Sequence, residues 1–464
     1  MSTLPPLDSL VQSLVDALSP VLSPLLSSLP LVDLFHHADK TLRDAVLDAT
    51  REVTQRALSQ PKRPEPGASK KTFQVHSALG LLTFVRWGTR DEQGCWQDPL
   101  PHAVSGRGCT AAVRQQIAWL HALMTTQETC STLRLFHAAQ PSLATVHRVA
   151  VEEGCALAKE FSPELFGPLL EARVQPIAAQ VDLIVVGADA GHVPMRGEGS
   201  SAEREWHEGR VVTATLLGAP DPSKPRTVTL FDGKKRKKKV GYERPVLATV
   251  VLGQMPTLDG PRADRVEAGV KKLHTTLQAL CPQATWQGLC DGGDWPEEVV
   301  DATVGSSRRT TDFYHASAHL LDAAKARFKD PSKAHAWWAE KRTQLLTEPG
   351  EAKRVAEELR RSAAHLTRSE AKKEVGKEAG YFEKRAATME YAKRLAGNEV
   401  IGSGRTEAAV KQLITVRLKR VGATWGAEGG DAVMHTRSLV VSQLFEGAWE
   451  DRVQKQFAPY LAAA

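Results

Sequence analysis

Two aspartates follow directly after stretches that are typical of buried strands. Asp189 comes after the apolar run VDLIVVGA, and Asp291 comes after ATWQGLC. In an α/β fold, side chains just beyond the carboxyl end of a strand point into the crevice where such sheets bind ligands. If the two strands are neighbours, the carboxylates meet and repel each other unless they share a cation. Either aspartate taken alone is more often a residue that caps a strand or a turn.

Glu407 is a third acid, and it stands in the first turn of a predicted helix over 405–420. Gly402 and Gly404, in IGSGRTEAAVKQL, allow a tight approach into that helix. The simplest interpretation is an acid that stabilises the helix dipole, with Lys411 at ion-pair spacing. Three carboxylates together suit two hard cations, Mg²⁺ or Mn²⁺, because such ions prefer oxygen ligands. Two ions of this kind activate the attacking oxygen and stabilise the leaving oxygen of a phosphodiester.

Two other acids compete for the same roles. Glu399 precedes Glu407 in AGNEVIG, and Asp294 follows Asp291 in DGGDW. Glu399 lies in a loop-like stretch, whereas a helix holds its side chains rigidly. The sequence therefore favours Glu407 and Asp291, with both alternatives left open.

Two groups of basic residues could contact a polyanion. The run GKKRKKKVGYER places a dense group at the expected tip of a β-hairpin, namely Lys234, Lys235, Arg236, Lys237, Lys238 and Lys239. The helix after Glu407 also becomes basic, with Lys411, Arg417, Lys419 and Arg420. A solvated loop is the simplest interpretation of the first group. Its charge density favours phosphate contacts, which are independent of base sequence and sensitive to salt.

Composition limits the class of protein. The chain has 464 residues, of which 42% are hydrophobic and 25% are charged, and its formal net charge is +6. These values are typical of a globular protein of two or three domains, and the mild basicity permits a nucleic-acid partner. No CxxC pair occurs, so neither a zinc knuckle nor a redox motif is predicted. No apolar run is long enough to span a bilayer, and we expect a cytoplasmic protein without membrane contact.

The chain divides into three predicted regions. Residues 1–70 are expected to form a helical segment and a Pro-rich linker, and residues 71–175 a mostly helical DNA-binding region. In the latter, TCSTLRLFHAAQPSLATVHRVAVEEG is similar to a helix-turn-helix with Ser142 as the cap of its second helix. An ordinary helical hairpin is the likelier alternative on sequence; if the motif meets DNA, His147 and Arg148 lie on the helix in the groove.

Residues 176–464 alternate between strands and helices, which indicates a mixed sheet with helices packed on it. A charged, almost wholly helical block at about 316–397 interrupts this pattern. Trp337 and Trp338 are expected to anchor its packing. The predicted class is therefore α/β, with a helical insertion between the second and third acids.

Several stretches together resemble the bacterial insertion-sequence transposases of the ISKra type, which are related to Mutator-like DDE enzymes. They are GADAGHVPMR, LCDGGDWPEEVV, TTDFYHASAHLL and YFEKRAATMEYAKRLAGNEVIGSGRTEAAVKQLITVRLKRVGATW, with VEEGCALA less sharply. The order of the stretches and the length of the last one make the resemblance specific. The cysteine pair common in the amino-terminal region of that family is missing here, and DAGH stands where Asp-Gly is usual.

The resemblance implies an RNase H-like, retroviral-integrase-like fold with Asp189, Asp291 and Glu407 as ligands of two Mg²⁺ or Mn²⁺ ions. It places Asp312 and His315, in DFYH, near the active site with an orienting or DNA-contacting role. It implies cleavage at transposon ends and strand transfer into target DNA. The implied partners are the terminal repeats, the target duplex and further copies of the chain. The implied location is the bacterial cytoplasm, at the nucleoid.

Two other functions fit the same residues. One is an RNase H-like nuclease without strand transfer. The other is a non-catalytic DNA-binding protein derived from a transposase. Metal-dependent cleavage and joining of labelled DNA separate the three.

Overall fold

The computed structural model describes residues 68–77, 80–90, 92–93, 96–97, 108–136, 140–196, 204–232, 234–255 and 265–461, with isolated residues between Asp16 and Ser59. The helices expected within 1–58 and most of the linker over 60–71 lie outside the described residues. Contacts divide the chain into one compact unit of residues 1–154 with 449–464 and another of residues 155–448.

The first unit contains a small antiparallel sheet and a group of helices. Its strands are β1 (Ser69–Ser77), β2 (Gly80–Arg90) and β3 (Trp96–Gln97). Its helices are α1 (Ala111–Leu123), α2 (Thr126–Phe136) and the beginning of α3 (Leu143–Glu160). The predicted breaks near Thr125 and Gln140 are confirmed. So is the cap, because Ser142 Oγ accepts a hydrogen bond from Thr145 N at 3.2 Å.

The second unit is built on a mixed sheet, which confirms the α/β class. Its strands in chain order are β4 (Leu183–Arg196), β5 (Arg204–Leu217), β8 (Val246–Gln254), β9 (Thr285–Cys290) and β10 (Arg309–Thr311). Within the described residues the sheet has five strands in the order β8-β5-β4-β9-β10. The first three pair antiparallel, whereas β9 is parallel to β4 and β10 is parallel to β9.

A separate two-stranded ribbon lies between β5 and β8 in the sequence. It consists of β6 (Asp221–Asp232) and β7 (Lys234–Glu243), paired antiparallel. The basic run was expected at a hairpin tip, and this was only partly right. Lys234 to Lys239 continue from the turn along β7, so the charges extend along a strand.

Helices cover both faces of the sheet. Two of them pack through close contacts at strand glycines, since Gly288 faces Val300 and Gly253 faces Leu413 and Met434. The helices of this unit outside the insertion are α4 (Pro163–Val174), α5 (Arg265–Leu280), α6 (Asp294–Val304), α12 (Gly404–Val410) and α13 (Ala427–Val441), and α14 (Phe445–Leu461) follows them in the sequence. The helix predicted over 405–420 changes after α12 into a π-helical turn over Lys411–Thr415.

The expected helical insertion is present between β10 and α12. Its helices are α7 (Phe313–Arg327), α8 (Pro331–Thr347), α9 (Glu351–His365), α10 (Ser369–Arg385) and α11 (Tyr391–Ala396). Trp337 and Trp338 anchor it as predicted, because their indole N–H groups donate to Glu358 Oε1 at 2.8 Å and to the Ser317 carbonyl at 3.0 Å. Both rings pack on one apolar cluster shared by these helices.

Among the described residues, no helix is long and apolar enough to cross a bilayer. The cysteines in that part of the chain all carry free thiols: Cys109, Cys130, Cys155, Cys281 and Cys290.

Candidate active site

The sheet register brings the two aspartates to the same level. In the parallel pair of β4 and β9, Gly187 is the partner of Leu289. Asp189 stands two residues after Gly187, and Asp291 stands two residues after Leu289. Partners in a parallel pair project to the same face of the sheet, on strands roughly 4.8 Å apart. The two aspartates therefore stand side by side on neighbouring strands. The sequence places both just beyond a strand end, which is right for Asp291 but wrong for Asp189, because β4 continues past it to Arg196.

Helix α12 lies over the same face and carries the third acid. Side chains alternate along a strand, so Asp189 shares its face with Gly187 and Gly191. A Cβ atom added to Gly187 would lie only 2.0 Å from Thr406 Oγ1, and the following helical turn lies against Gly191. Thr406 and Val410, one turn apart, are the residues of α12 that face these two glycines. Glu407 follows Thr406 directly in the same helix, and its side chain is exposed.

The electrostatics of Asp189 show that the three acids interact. The pKa of the Asp189 carboxyl is raised to about 6, mainly by burial and also by the nearby charges of Asp291 and Glu407. The backbone amide of Ala190 and the imidazole of His315 act in the opposite direction. The charges of Asp291, Glu407 and His315 thus lie close enough to Asp189 to affect its ionisation.

Each of the three carboxylates has a local hydrogen bond. Asp189 accepts from the backbone amide of Ala190 at 2.7 Å and Asp291 from that of Gly293 at 3.1 Å, while Glu407 Oε1 accepts from Ser403 Oγ at 2.8 Å. No Lys or Arg forms an ion pair with any of them within the described residues. In the same part of the chain, no set of three His, Cys, Asp or Glu side chains is arranged to hold a metal ion. The donor chemistry suits a cation, but the side chains are not preassembled around one.

Asp312 holds the loop that leads to Glu407. It is only 1% exposed, and its Oδ1 caps α7 by accepting from His315 N at 2.6 Å. Its Oδ2 accepts from the amide of Ser403, whose hydroxyl in turn donates to Glu407. This arrangement suits an orienting role for Asp312. The His315 side chain is exposed, and its ring lies 5.6 Å from that of His319.

The two rival acids have other partners. Glu399 Oε2 forms an ion pair with Arg394 at 2.7 Å. The Asp294 side chain is 85% exposed and pairs with Lys384 at 3.1 Å. The main causes of the pKa shift of Asp189 include the charges of Glu407 and Asp291 but not those of these two acids.

The candidate DNA-contacting residues differ in exposure. Lys234, Lys235, Arg236, Lys237, Lys238 and Lys239 are exposed along β7, as are Lys411 and Lys419 at the helix after Glu407. Arg420 is partly buried. Arg417 is 3% exposed, and its guanidinium lies 4.9 Å from the ring centre of Trp425. Its expected role in DNA contact is therefore corrected to one in packing.

Sequence reasoning missed Ser403 and two residues of α10, Tyr381 and Arg385. Tyr381 donates to the carbonyl of Asp291, and Arg385 donates to the carbonyl of Gly292. Both lie about ninety residues from their acceptors, and no local pattern marks them. Ser403 had a weak signal, since serine is common just before a helix.

No protein-family model matches this chain, and no curated protein is similar to it. Among solved structures, the chain is similar to one described as "Drosophila P element transposase strand transfer complex". The TM-score is 0.25 at 11% identity, over 77% of this chain and 83% of that chain. A match this weak establishes neither a shared fold nor a shared function.

Proposed function

We propose that this protein is a DDE-type transposase in which Asp189, Asp291 and Glu407 hold two Mg²⁺ or Mn²⁺ ions at a scissile phosphate of DNA. The observation that carries the proposal is the grouping of these three acids. They come from β4, from the end of β9 and from α12, and the charges of two of them act on the pKa of the third.

The donor set fits hard divalent cations. Each carboxylate has an oxygen bonded locally, and none is neutralised by a basic side chain in the described part of the chain. Mutual repulsion keeps such groups apart until a cation is shared. Bound there, the ions would activate the attacking oxygen and stabilise the leaving oxygen of the phosphodiester. Because the side chains are not preassembled, binding requires them to rotate towards one another.

The proposal includes an RNase H-like, retroviral-integrase-like fold for the catalytic unit. Its support is the order of the elements. An antiparallel meander is joined to two parallel strands, the first acid lies on the central strand, and the second ends the neighbouring strand. The helical insertion stands between the second and third acids, as the sequence resemblance implies.

The proposed partner is double-stranded DNA, as transposon ends and as target. The support is the exposed basic run on β7 and the exposed Lys411 and Lys419. Lys and Arg bind phosphates by charge, without reading base sequence. Two ends must be held together for joining, so we also propose a homo-oligomeric complex on DNA, acting at the bacterial nucleoid.

The test uses the full chain with Mg²⁺ and a labelled duplex that carries the DNA bracketing its gene. We expect cleavage at one boundary and joining of the freed 3′ end to a second duplex. Asp189→Asn is expected to abolish both reactions, whereas Asp294→Asn retains them. Cleavage without joining would identify a nuclease instead. Binding without any product in Mg²⁺ or Mn²⁺ would overturn the enzymatic proposal.

A further inference from the structure

The carboxyl end of α10 lies against the turn that carries Asp291. Tyr381 donates its hydroxyl to the Asp291 carbonyl oxygen at 3.3 Å, and Arg385 Nη2 donates to the Gly292 carbonyl oxygen. Arg385 Nε donates to Glu297 Oε1 at 2.7 Å. The guanidinium also lies 4.7 Å from the ring centre of Tyr381. Two side chains of one helix therefore hold two successive carbonyl groups of the turn.

Gly292 makes this contact possible. Its φ is +106°, a backbone conformation that residues with a side chain rarely adopt. A Cβ atom added there would lie 2.5 Å from Arg385 Nε. The glycine after Asp291 thus leaves the space in which the guanidinium reaches the backbone.

Burial makes the contact rigid. Arg385 is 7% exposed and Glu297 is 8% exposed. Glu297 also pairs with Arg309 at 2.8 Å, so its charge is shared between two guanidinium groups. A buried guanidinium without hydrogen-bond acceptors is strongly unfavourable, because it has lost its hydration and gains no contact in return. This cost keeps Arg385 bound to its acceptors.

We propose that α10 is a positioning clamp for the second carboxylate, in which Arg385 and Tyr381 fix the Asp291 turn so that its side chain can share cations with Asp189 and Glu407. This inference rests on the proposed function. It gives the helical insertion a part in completing the active site, through residues that touch neither metal nor DNA.

The same helix also holds α7. Glu378 Oε2 lies 2.7 Å from His319 Nδ1, and the Tyr381 ring stacks on His319 with ring centres 3.7 Å apart. Helix α7 is capped by Asp312, which also accepts from the amide of Ser403 in the loop before Glu407. Contacts from α10 therefore reach both the second and the third acid.

The first test needs no metal. Amide hydrogen exchange is measured in peptides that span 289–295, for the wild type, Arg385→Gln and Tyr381→Phe. We expect exchange roughly tenfold faster in Arg385→Gln, and a smaller increase in Tyr381→Phe, which loses only one hydroxyl. The matched control is Arg360→Gln, since Arg360 pairs with Glu383 of α10 at 2.8 Å on the exposed side. Unchanged exchange in both folded clamp variants would overturn the proposal.

The second test measures Mn²⁺ binding by calorimetry and the cleavage rate at saturating DNA. Loss of a residue that supports a metal ligand typically costs 10–100-fold in affinity or activity. We expect losses in that range for Arg385→Gln, a partial recovery in Arg385→Lys, and an unchanged KM for DNA. Replacing a residue that only supports the fold would not lower kcat while leaving KM unchanged. A folded Arg385→Gln variant with wild-type Mn²⁺ affinity and rate would overturn the clamp.

The two proposals fail in different ways. A wild-type chain that neither binds Mn²⁺ nor cleaves DNA contradicts the proposed function. The exchange rates at the Asp291 turn still decide whether α10 holds that turn.

Discussion

Asp189 is the residue on which the charges of the site act most clearly. Its carboxyl is partly buried on the central strand, and its pKa is raised from 3.8 to about 6, with burial as the largest cause. The acids at 291 and 407 add to the shift because each carries a negative charge nearby. A shared divalent cation reverses this balance, since it favours the ionised form of all three groups.

This leads to a prediction for the metal-free protein. The folded pKa of Asp189 is higher than the unfolded value, so folding favours its protonated form. The resulting stabilisation is complete below about pH 4 and is lost as the pH rises through about 6. We expect Asp189→Asn to remove this loss and to be more stable than wild type at pH 8, by on the order of 1–3 kcal/mol.

Urea unfolding in EDTA at pH 4.5 and pH 8 measures this effect. Asp294→Asn is the control, because that carboxylate is exposed. An equal pH dependence in wild type and Asp189→Asn would contradict the assignment of the shift. Added Mg²⁺ should stabilise the wild type at pH 8 and have little effect on the Asn variant.

A second prediction separates the two glutamates before and within α12. We expect Glu407→Gln to lower the cleavage rate by more than about 100-fold, because residues that only support a metal ligand already cost 10–100-fold. Glu399→Gln should retain the rate, since Glu399 is engaged with Arg394. Single-turnover cleavage with Mg²⁺ measures both. The reverse result would identify Glu399, and not Glu407, as the third metal ligand.

At the scale of elements, the approach of α12 to the sheet decides where Glu407 stands. Thr406 bonds to Thr213 at 2.9 Å across the place where Gly187 has no side chain. The β4–β5 pairing puts Thr213 opposite Gly187. A helix that carries an active-site acid can come this close only because the strand beneath it has a glycine.

We therefore expect Gly187→Ala to force α12 away from β4. Overpacking of this kind typically costs ~1–3 kcal/mol, and the displaced Glu407 should lower the cleavage rate as well. Gly404→Ala is the matched control, because no atom lies within 4 Å of its added Cβ. That change should be neutral or stabilise the helix by up to about 1 kcal/mol. Equal effects of the two substitutions on urea unfolding would contradict the packing argument.

At the scale of the whole molecule, the positive charge is unevenly distributed. The net charge of +6 is modest, yet the basic run along β7 is concentrated in one exposed strand. Lysines on an edge strand also prevent unwanted strand pairing, which is their simplest role. Salt dependence distinguishes the two roles, because phosphate contacts release counterions.

We predict that replacing Lys235, Lys237 and Lys238 with Gln weakens DNA binding and flattens its salt dependence. Each lost phosphate contact should reduce the slope of log K against log salt by about 0.9. The control replaces the exposed Lys329, Lys372 and Lys373, which changes the net charge equally. Anisotropy titrations from 50 to 200 mM salt measure both slopes, and equal slopes would argue against contact at β7.

The sequence by itself determined many of the elements and the acids that they carry. Short apolar runs are local signals, so the strand that carries Asp189 and the strand before Asp291 could be predicted. The continuation of β4 beyond Asp189 to Arg196 could not. The helical insertion was equally local, because helix-favouring composition and spacing depend on neighbouring residues. Ser142 was recognised as a helix cap for the same reason.

Only the tertiary structure decided which residues meet. The burial of Arg417 depends on Trp425, and the exposure of the basic run along β7 depends on which strands pair. The hold of α10 on the Asp291 turn joins residues about ninety positions apart. Such contacts leave no signal in the local sequence, because their two residues meet only when the whole insertion has folded. Whether the three carboxylates can converge on cations is likewise a property of side-chain geometry, which no spacing in the sequence encodes.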